Sequence, residues 1–194
     1  MTASPDHLPA QLYPEDILYA APNGALWRVA QTRSRREKKL ACYLAEHDIG
    51  YYLPLLKRRQ AGQTRNRYSF VPAFGNYVFI KAGDNERHQI IRSHHVARMI
   101  EVQDQARLIR ELRQLQTVLV MEEKVYPYDY ITQGQQVRIV EGPLRGIEGI
   151  VEKKKSGYRL VLSVSSLFQA VAMDIDAQLV EPVQSRLRRD LRQI

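Results

Sequence analysis

Cysteine is nearly absent: Cys42 stands alone among 194 residues. One thiol excludes an intramolecular disulfide and a cysteine-based zinc site. Long apolar runs are missing too. None approaches the roughly 20 residues a membrane-crossing helix needs, and residues 1–11 lack the basic-then-apolar layout of a signal peptide. A cytoplasmic protein with no membrane partner is expected. Catalytic motifs are also lacking, with no Walker-type phosphate loop and no Gly-x-Ser-x-Gly. None of His7, His47, His88, His94 and His95 sits in a convincing metal-ligand constellation with carboxylates. No metal, no cofactor and no catalytic residue is expected. The last shortage is of acid: 29 Lys+Arg face 21 Asp+Glu, a net charge of +8. That surplus favours a polyanionic partner, either nucleic acid or an acidic protein face.

What is present centres on residues 134–152, Gly-Gln-Gln-Val-Arg-Ile-Val-Glu-Gly-Pro-Leu-Arg-Gly-Ile-Glu-Gly-Ile-Val-Glu. Val137 and Ile139 alternate with polar neighbours, Gly142-Pro143 is a turn dipeptide, and Ile147, Ile150 and Val151 resume the apolar run. Gly146 and Gly149 inside that second run mark a bulge or a close backbone approach. The stretch is a bent hairpin suited to a small barrel, and it resembles the KOW motif. Tyr158–Val164, Phe168–Met173 and Gln178–Val180 supply further short strands after a basic turn at Lys153–Gly157. Five short strands in about fifty residues fit an SH3-like barrel.

The chain before it is a mixed αβ unit. Residues 1–23 carry Pro5, Pro9, Pro14 and Pro22 and are expected to be a tail, docked by Leu12, Tyr13, Ile17 and Leu18. Leu26–Gln31 alternates as a strand. Ser34 and Glu37 have the spacing of a capping box, and Leu40, Tyr43, Leu44 and His47 form one helical stripe ended by Gly50. Cys42 on that helix is expected to be a small buried packing residue. Arg33, Arg35, Arg36, Lys38 and Lys39 crowd its first turns, where phosphate binding and a solvated charged face are both open readings. Tyr51–Leu56 is the next strand, with Pro54 marking an edge or bulge. A basic hairpin tip around Gly62 leads to strands at Tyr68–Val71 and Tyr77–Lys81, then a short helix capped by Asp84 or Asn85. Val96–Val102 is a strand, and Asp104 caps a helix whose stripe is Leu108, Leu112, Leu115 and Leu119. The order β-α-β-β-α-β plus a helix is the split βαβ, ferredoxin-like arrangement.

The fold class is therefore α+β. Residues 1–23 are a tail, 24–121 the ferredoxin-like domain, 122–133 a linker, 134–183 the KOW barrel, and 184–194 a basic amphipathic tail. With Trp27, the run Arg36-Glu-Lys-Lys39, Tyr52-Leu-Pro54 and Pro72-Ala-Phe-Gly-Asn-Tyr-Val-Phe79, this organisation resembles the NusG family of transcription elongation factors over residues 24–183. The ferredoxin-like unit would be its N-terminal (NGN) domain.

The resemblance implies a non-enzymatic, monomeric binding protein. It implies contact with the RNA polymerase clamp through an apolar sheet face of Phe74, Tyr77, Phe79 and Met99. Both faces of the Tyr77–Ile80 strand are apolar, so helices would cover one and a partner the other. On this reading Phe74 and Tyr77 can both become Ala without loss of the fold. The resemblance also implies contact with the non-template DNA strand through Arg33, Arg36, Lys39 and His94. The loop Gly142, Pro143, Leu144 and Arg145 would meet a small-subunit ribosomal protein or the termination factor Rho. Leu144 stands where the family's general factor has an aromatic, which points to a specialised paralogue acting in antitermination. The barrel is expected to stay β-sheet in the intact chain, because residues 156–168 are rich in β-branched residues and serine. The alternatives are an RNA- or ribosome-associated KOW protein unconnected with polymerase, and a metal-dependent nuclease outlined by Pro127, Asp129 and Glu152-Lys153-Lys154. The nuclease requires both carboxylates on neighbouring strands.

Overall fold

The computed structural model describes residues 8–20, 24–59, 68–121, 124–128, 134–155 and 157–183. The basic hairpin tip, Asp129 and residues 184–194 lie outside them.

β1 (Leu12–Tyr13), β2 (Leu26–Thr32), β3 (Gly50–Tyr52), β6 (Tyr77–Ala82) and β7 (Val96–Glu101) form a five-stranded antiparallel sheet in the order β1-β3-β6-β2-β7. Alternation along the strands makes two apolar faces. Ala30, Tyr51, Val78 and Ile80 turn toward α1 (Glu37–Glu46) and α2 (Asp84–Arg92), where they meet Leu40, Leu44 and Ile90. Trp27, Val29, Tyr52 and Phe79 turn the other way, against Leu108, Leu112 and Leu115 of α3 (Gln105–Met121). Each such leucine contributes roughly 1.5–3 kcal/mol by leaving water. Arg28, though on a strand facing helices, is buried among partners: the Ala82 carbonyl, Asp84 at 2.9 Å and Glu101 at 3.0 Å. It ties the start of α2 to the end of β7.

Several local expectations are corrected here. The Ser34–Glu37 capping box does not form. Arg35 adopts φ 57, α1 begins at Glu37 with Arg36 as N-cap, and no side chain caps it. The left-handed residue ending α1 is Asp48, φ 55, two positions before Gly50. α2 is capped by Gly83, whose amide is taken by the Glu86 carboxylate, rather than by Asp84 or Asn85. The strand expected over 51–56 is two strands. Pro54 breaks it, and β4 (Leu55–Arg59) leaves the sheet to pair only with β5 (Tyr68–Pro72). Cys42 is half-buried rather than buried. The Asp104 cap does form: its carboxylate accepts from Arg107 N at 2.9 Å.

The second unit is a six-stranded antiparallel sheet in the order β13-β9-β10-β11-β12-β8. Its strands are β8 (Tyr126–Tyr128), β9 (Gln135–Ile139), β10 (Glu148–Lys154), β11 (Gly157–Val164), β12 (Gln169–Ile175) and β13 (Val180–Pro182). Val137, Ile139, Leu144, Ile147, Leu162, Val171 and Met173 are buried together, so the sheet wraps its own core as a small barrel. At Gly149 a β-carbon would stand 2.6 Å from the Val161 carbonyl, which accounts for the glycine in that strand. β9 to β12 are strands in the intact chain, as the β-branched residues and serines of that stretch favour. β8 corrects the linker: residues 126–128 belong to the barrel sheet, held by Tyr128 Oη donating to Glu152 at 2.5 Å and by Arg159 stacked 4.5 Å from the Tyr128 ring. The barrel also meets α3. Glu111 accepts from Ser165 N at 3.0 Å and from Ser165 Oγ at 2.7 Å, and Gln114 Oε1 accepts from Glu148 N at 2.6 Å.

Candidate functional site

Three loops are knitted together at one end of the five-stranded sheet. Thr32 N donates to the Asn76 carbonyl at 2.8 Å, which joins the end of β2 to the Phe74–Tyr77 turn. Arg33 N donates to the His95 carbonyl at 2.9 Å, which joins the same chain segment to the turn before β7. Asn76 N in turn donates to the buried Glu37 carboxylate at 2.7 Å, so the first residue of α1 anchors the aromatic turn. Asn76 at φ 67 and His94 at φ 62 hold left-handed backbone, which asparagine and histidine tolerate better than most residues.

Arg33, Arg36, Lys39 and His94 are all exposed at this end. Their closeness registers on His95, whose pKa is lowered from 6.5 by burial first and then by the positive charge of Arg36, Lys39 and His94. Rings adjoin the cations. The Tyr43 ring lies 4.1 Å from His47 and meets His95 edge-on at 5.9 Å. A cationic surface with adjacent rings has the composition that single-stranded nucleic acid selects.

The apolar set differs from expectation. Phe74 and Phe79 are 2% and 0% exposed, in edge-to-face contact at 6.0 Å, with α3 and Leu18 in the same cluster. The second face is thus covered by the chain's own residues. Phe74→Ala would open a core cavity at a cost of about 3–5 kcal/mol, so the expectation that the fold tolerates it is corrected. Tyr77 is only half-buried and stays on that face. Met99 does not: it pairs with Ala30 and packs on the α1–α2 side, opposite Phe79. The four residues therefore do not form one surface.

On the barrel, the turn places Gly142, Pro143 and Arg145 in solvent, with Gly142 at φ 79. Leu144 is instead buried in the barrel core, so it cannot be a surface contact. The large apolar side chain that is exposed is Phe168, 74% accessible at φ 52, on the turn before β12. Its signal in the sequence is a second apolar residue after Leu167, out of step with the alternation. Glu152 accepts from Tyr128 and faces Arg159 at 3.5 Å. Among the described residues no group of three or more His, Cys, Asp or Glu side chains could hold a metal. No helix there is long and apolar enough to cross a membrane.

No curated protein sequence matches this chain. Among solved structures, the crystal structure of the MjSpt4:Spt5 complex, conformation B, is similar at 16% identity over 82% of this chain and 98% of that one. Its TM-score of 0.30 is too low to support more than the observation itself. The family model described as transcription termination factor NusG matches residues 25–125, over half of the sequence and all of the five-stranded sheet beyond β1 and its helices; the chain belongs to the NusG family.

Proposed function

We propose that this NusG-family transcription elongation factor binds transcribing RNA polymerase, touches the non-template DNA strand and acts in antitermination. One observation carries the reading. The aromatic turn, the cationic start of α1 and the turn before β7 are fastened together within the matched region by the Thr32–Asn76, Arg33–His95 and Glu37–Asn76 hydrogen bonds. A protein contact through Tyr77 and a nucleic-acid contact through Arg33, Arg36, Lys39 and His94 would then be adjacent, as at the surface of a polymerase holding an exposed strand. The factor works in the cytoplasm as a monomer, with no catalysis and no cofactor.

The barrel supplies a second contact. Phe168, exposed on the same barrel as the Arg145 turn, supports a protein partner such as a small-subunit ribosomal protein. Phosphate contacts release counterions, so the elongation-complex affinity of the wild type should fall steeply with salt. Arg33→Glu with Lys39→Glu should weaken binding and flatten that slope. Salt-insensitive binding that tolerates both changes would reduce the cluster to a solvated charged face.

A further inference from the structure

The family match begins at residue 25, yet earlier residues are built into the matched domain's apolar face. β1 adds Leu12 and Tyr13 to the edge of β3. Gln11 fastens the corner: its carbonyl accepts from Leu53 N at 2.7 Å and its Oε1 from Leu55 N at 2.9 Å. The chain then turns back over the sheet. Ile17 N donates to Pro14 O at 3.0 Å, and Tyr19 N and Ala20 N both donate to Asp16 O, at 2.7 and 2.9 Å.

This turn drives Ile17 and Leu18 into the cluster that holds Tyr52, Phe74, Phe79 and α3. Ile17 Cδ1 fills the space a β-carbon on Gly50 would need, 2.5 Å from it. Gly50 and Tyr52 share that side of β3 by alternation, so Ile17 lies on the aromatic face itself. From the far side α3 reaches across. Arg113 Nε donates to the Leu18 carbonyl at 2.7 Å, and its guanidinium sits 4.9 Å from the centre of the Tyr19 ring. Tyr19 is 61% exposed, so the ring half of this fastening faces water, while the bond to Leu18 is partly buried.

We propose that residues 14–20 are a displaceable strap over the β3 edge of the aromatic face, and that RNA polymerase must lift it to reach Gly50 and Tyr52. The inference rests on the reading of that face as the polymerase site. The strap has what a competitor needs. It puts apolar side chains where a partner's would go, and only Ile17 and Leu18 are sunk into the core. Among the described residues its remaining side-chain hold is Arg113, on a carbonyl and an exposed ring. The rest of the face is closed without it, by Leu108, Leu112 and Leu115 against Trp27 and Val29. Lifting the strap would bare Gly50 and the neighbouring side of Tyr52, next to the part of the face that α3 covers.

The test measures affinity of the full chain for core RNA polymerase. It compares the wild type, Ile17→Ser/Leu18→Ser, Arg113→Ala and Tyr77→Ala. Apparent affinity scales with the open fraction, so a strap open about a tenth of the time or less predicts strap variants that bind about tenfold tighter or more. Polymerase should also remove hydrogen-exchange protection from the Ile17, Tyr19 and Ala20 amides. Arg113→Ala leaves the apolar core in place and keeps the test decisive if the double variant misfolds. Equal or weaker binding by the strap variants, with Tyr77→Ala defective, would overturn the strap and leave the face as the polymerase site. Unimpaired Tyr77→Ala, or no binding by any chain, would overturn both.

Discussion

The Glu37 carboxylate accepts the Asn76 amide at 2.7 Å, across 39 positions of sequence. It fixes the aromatic turn to the cationic helix start, and it is buried. A hydrogen bond to a charged group contributes about 1.5–3 kcal/mol, and deleting the acceptor strands the amide. Glu37→Ala should therefore lower stability by about 2 kcal/mol, and Glu37→Gln, which keeps an acceptor oxygen, by less. Denaturant midpoints measure both, and the Asn76 amide resonance should shift most in Glu37→Ala.

Two glycines should respond oppositely to alanine. At Gly149 a β-carbon would meet the Val161 carbonyl at 2.6 Å, a backbone atom that cannot swing aside. Gly149→Ala should cost more than about 2 kcal/mol, by overpacking. At Gly75 nothing lies within 4 Å of the added carbon and the backbone is not left-handed. Gly75→Ala should stay within about 0.5 kcal/mol of wild type. Thermal unfolding of the two variants separates the cases.

His95 gives the pH dependence. Its folded pKa lies below 6.5, held down by burial and then by Arg36, Lys39 and His94. On acidification the unfolded chain takes up this proton first, so stability falls as pH drops through 6.5 toward the folded value. His95→Asn should flatten that part of the stability profile. A polyanion over Arg36 and Lys39 would oppose the charge effect, so the His95 ring titration should move upward when a single-stranded oligonucleotide is added. An unmoved titration would separate His95 from the nucleic-acid surface.

Much of this architecture is legible in the residues, because alternation and helical stripes report burial directly. Leu108, Leu112 and Leu115 announce the face of α3, and Val137 and Ile139 that of β9. What is not legible depends on tertiary partners. Met99 faces away from Phe79 because of strand register, and β2 and β7 shift register between Gln31 and Thr32, which no periodicity reveals. Leu144 has the hydrophobicity of a contact residue and of a core residue alike, and only the turn's path decides. The Ser34–Glu37 spacing fits a capping box, but Arg35 takes a left-handed conformation and Glu37 is drawn to Asn76 instead. The docking of Ile17 and Leu18 is visible as apolar residues in a proline-rich tail, but not the face they cover.

The most direct measurement is hydrogen exchange of the full chain, free and bound to a reconstituted RNA polymerase elongation complex. Binding through the sheet end predicts that protection is gained at residues 33–39, 74–79 and 93–95 together, while the barrel's β9–β12 strands change little. Protection confined to the barrel, around Phe168 and the Gly142 turn, would contradict it and make the chain a barrel-mediated binder of another partner.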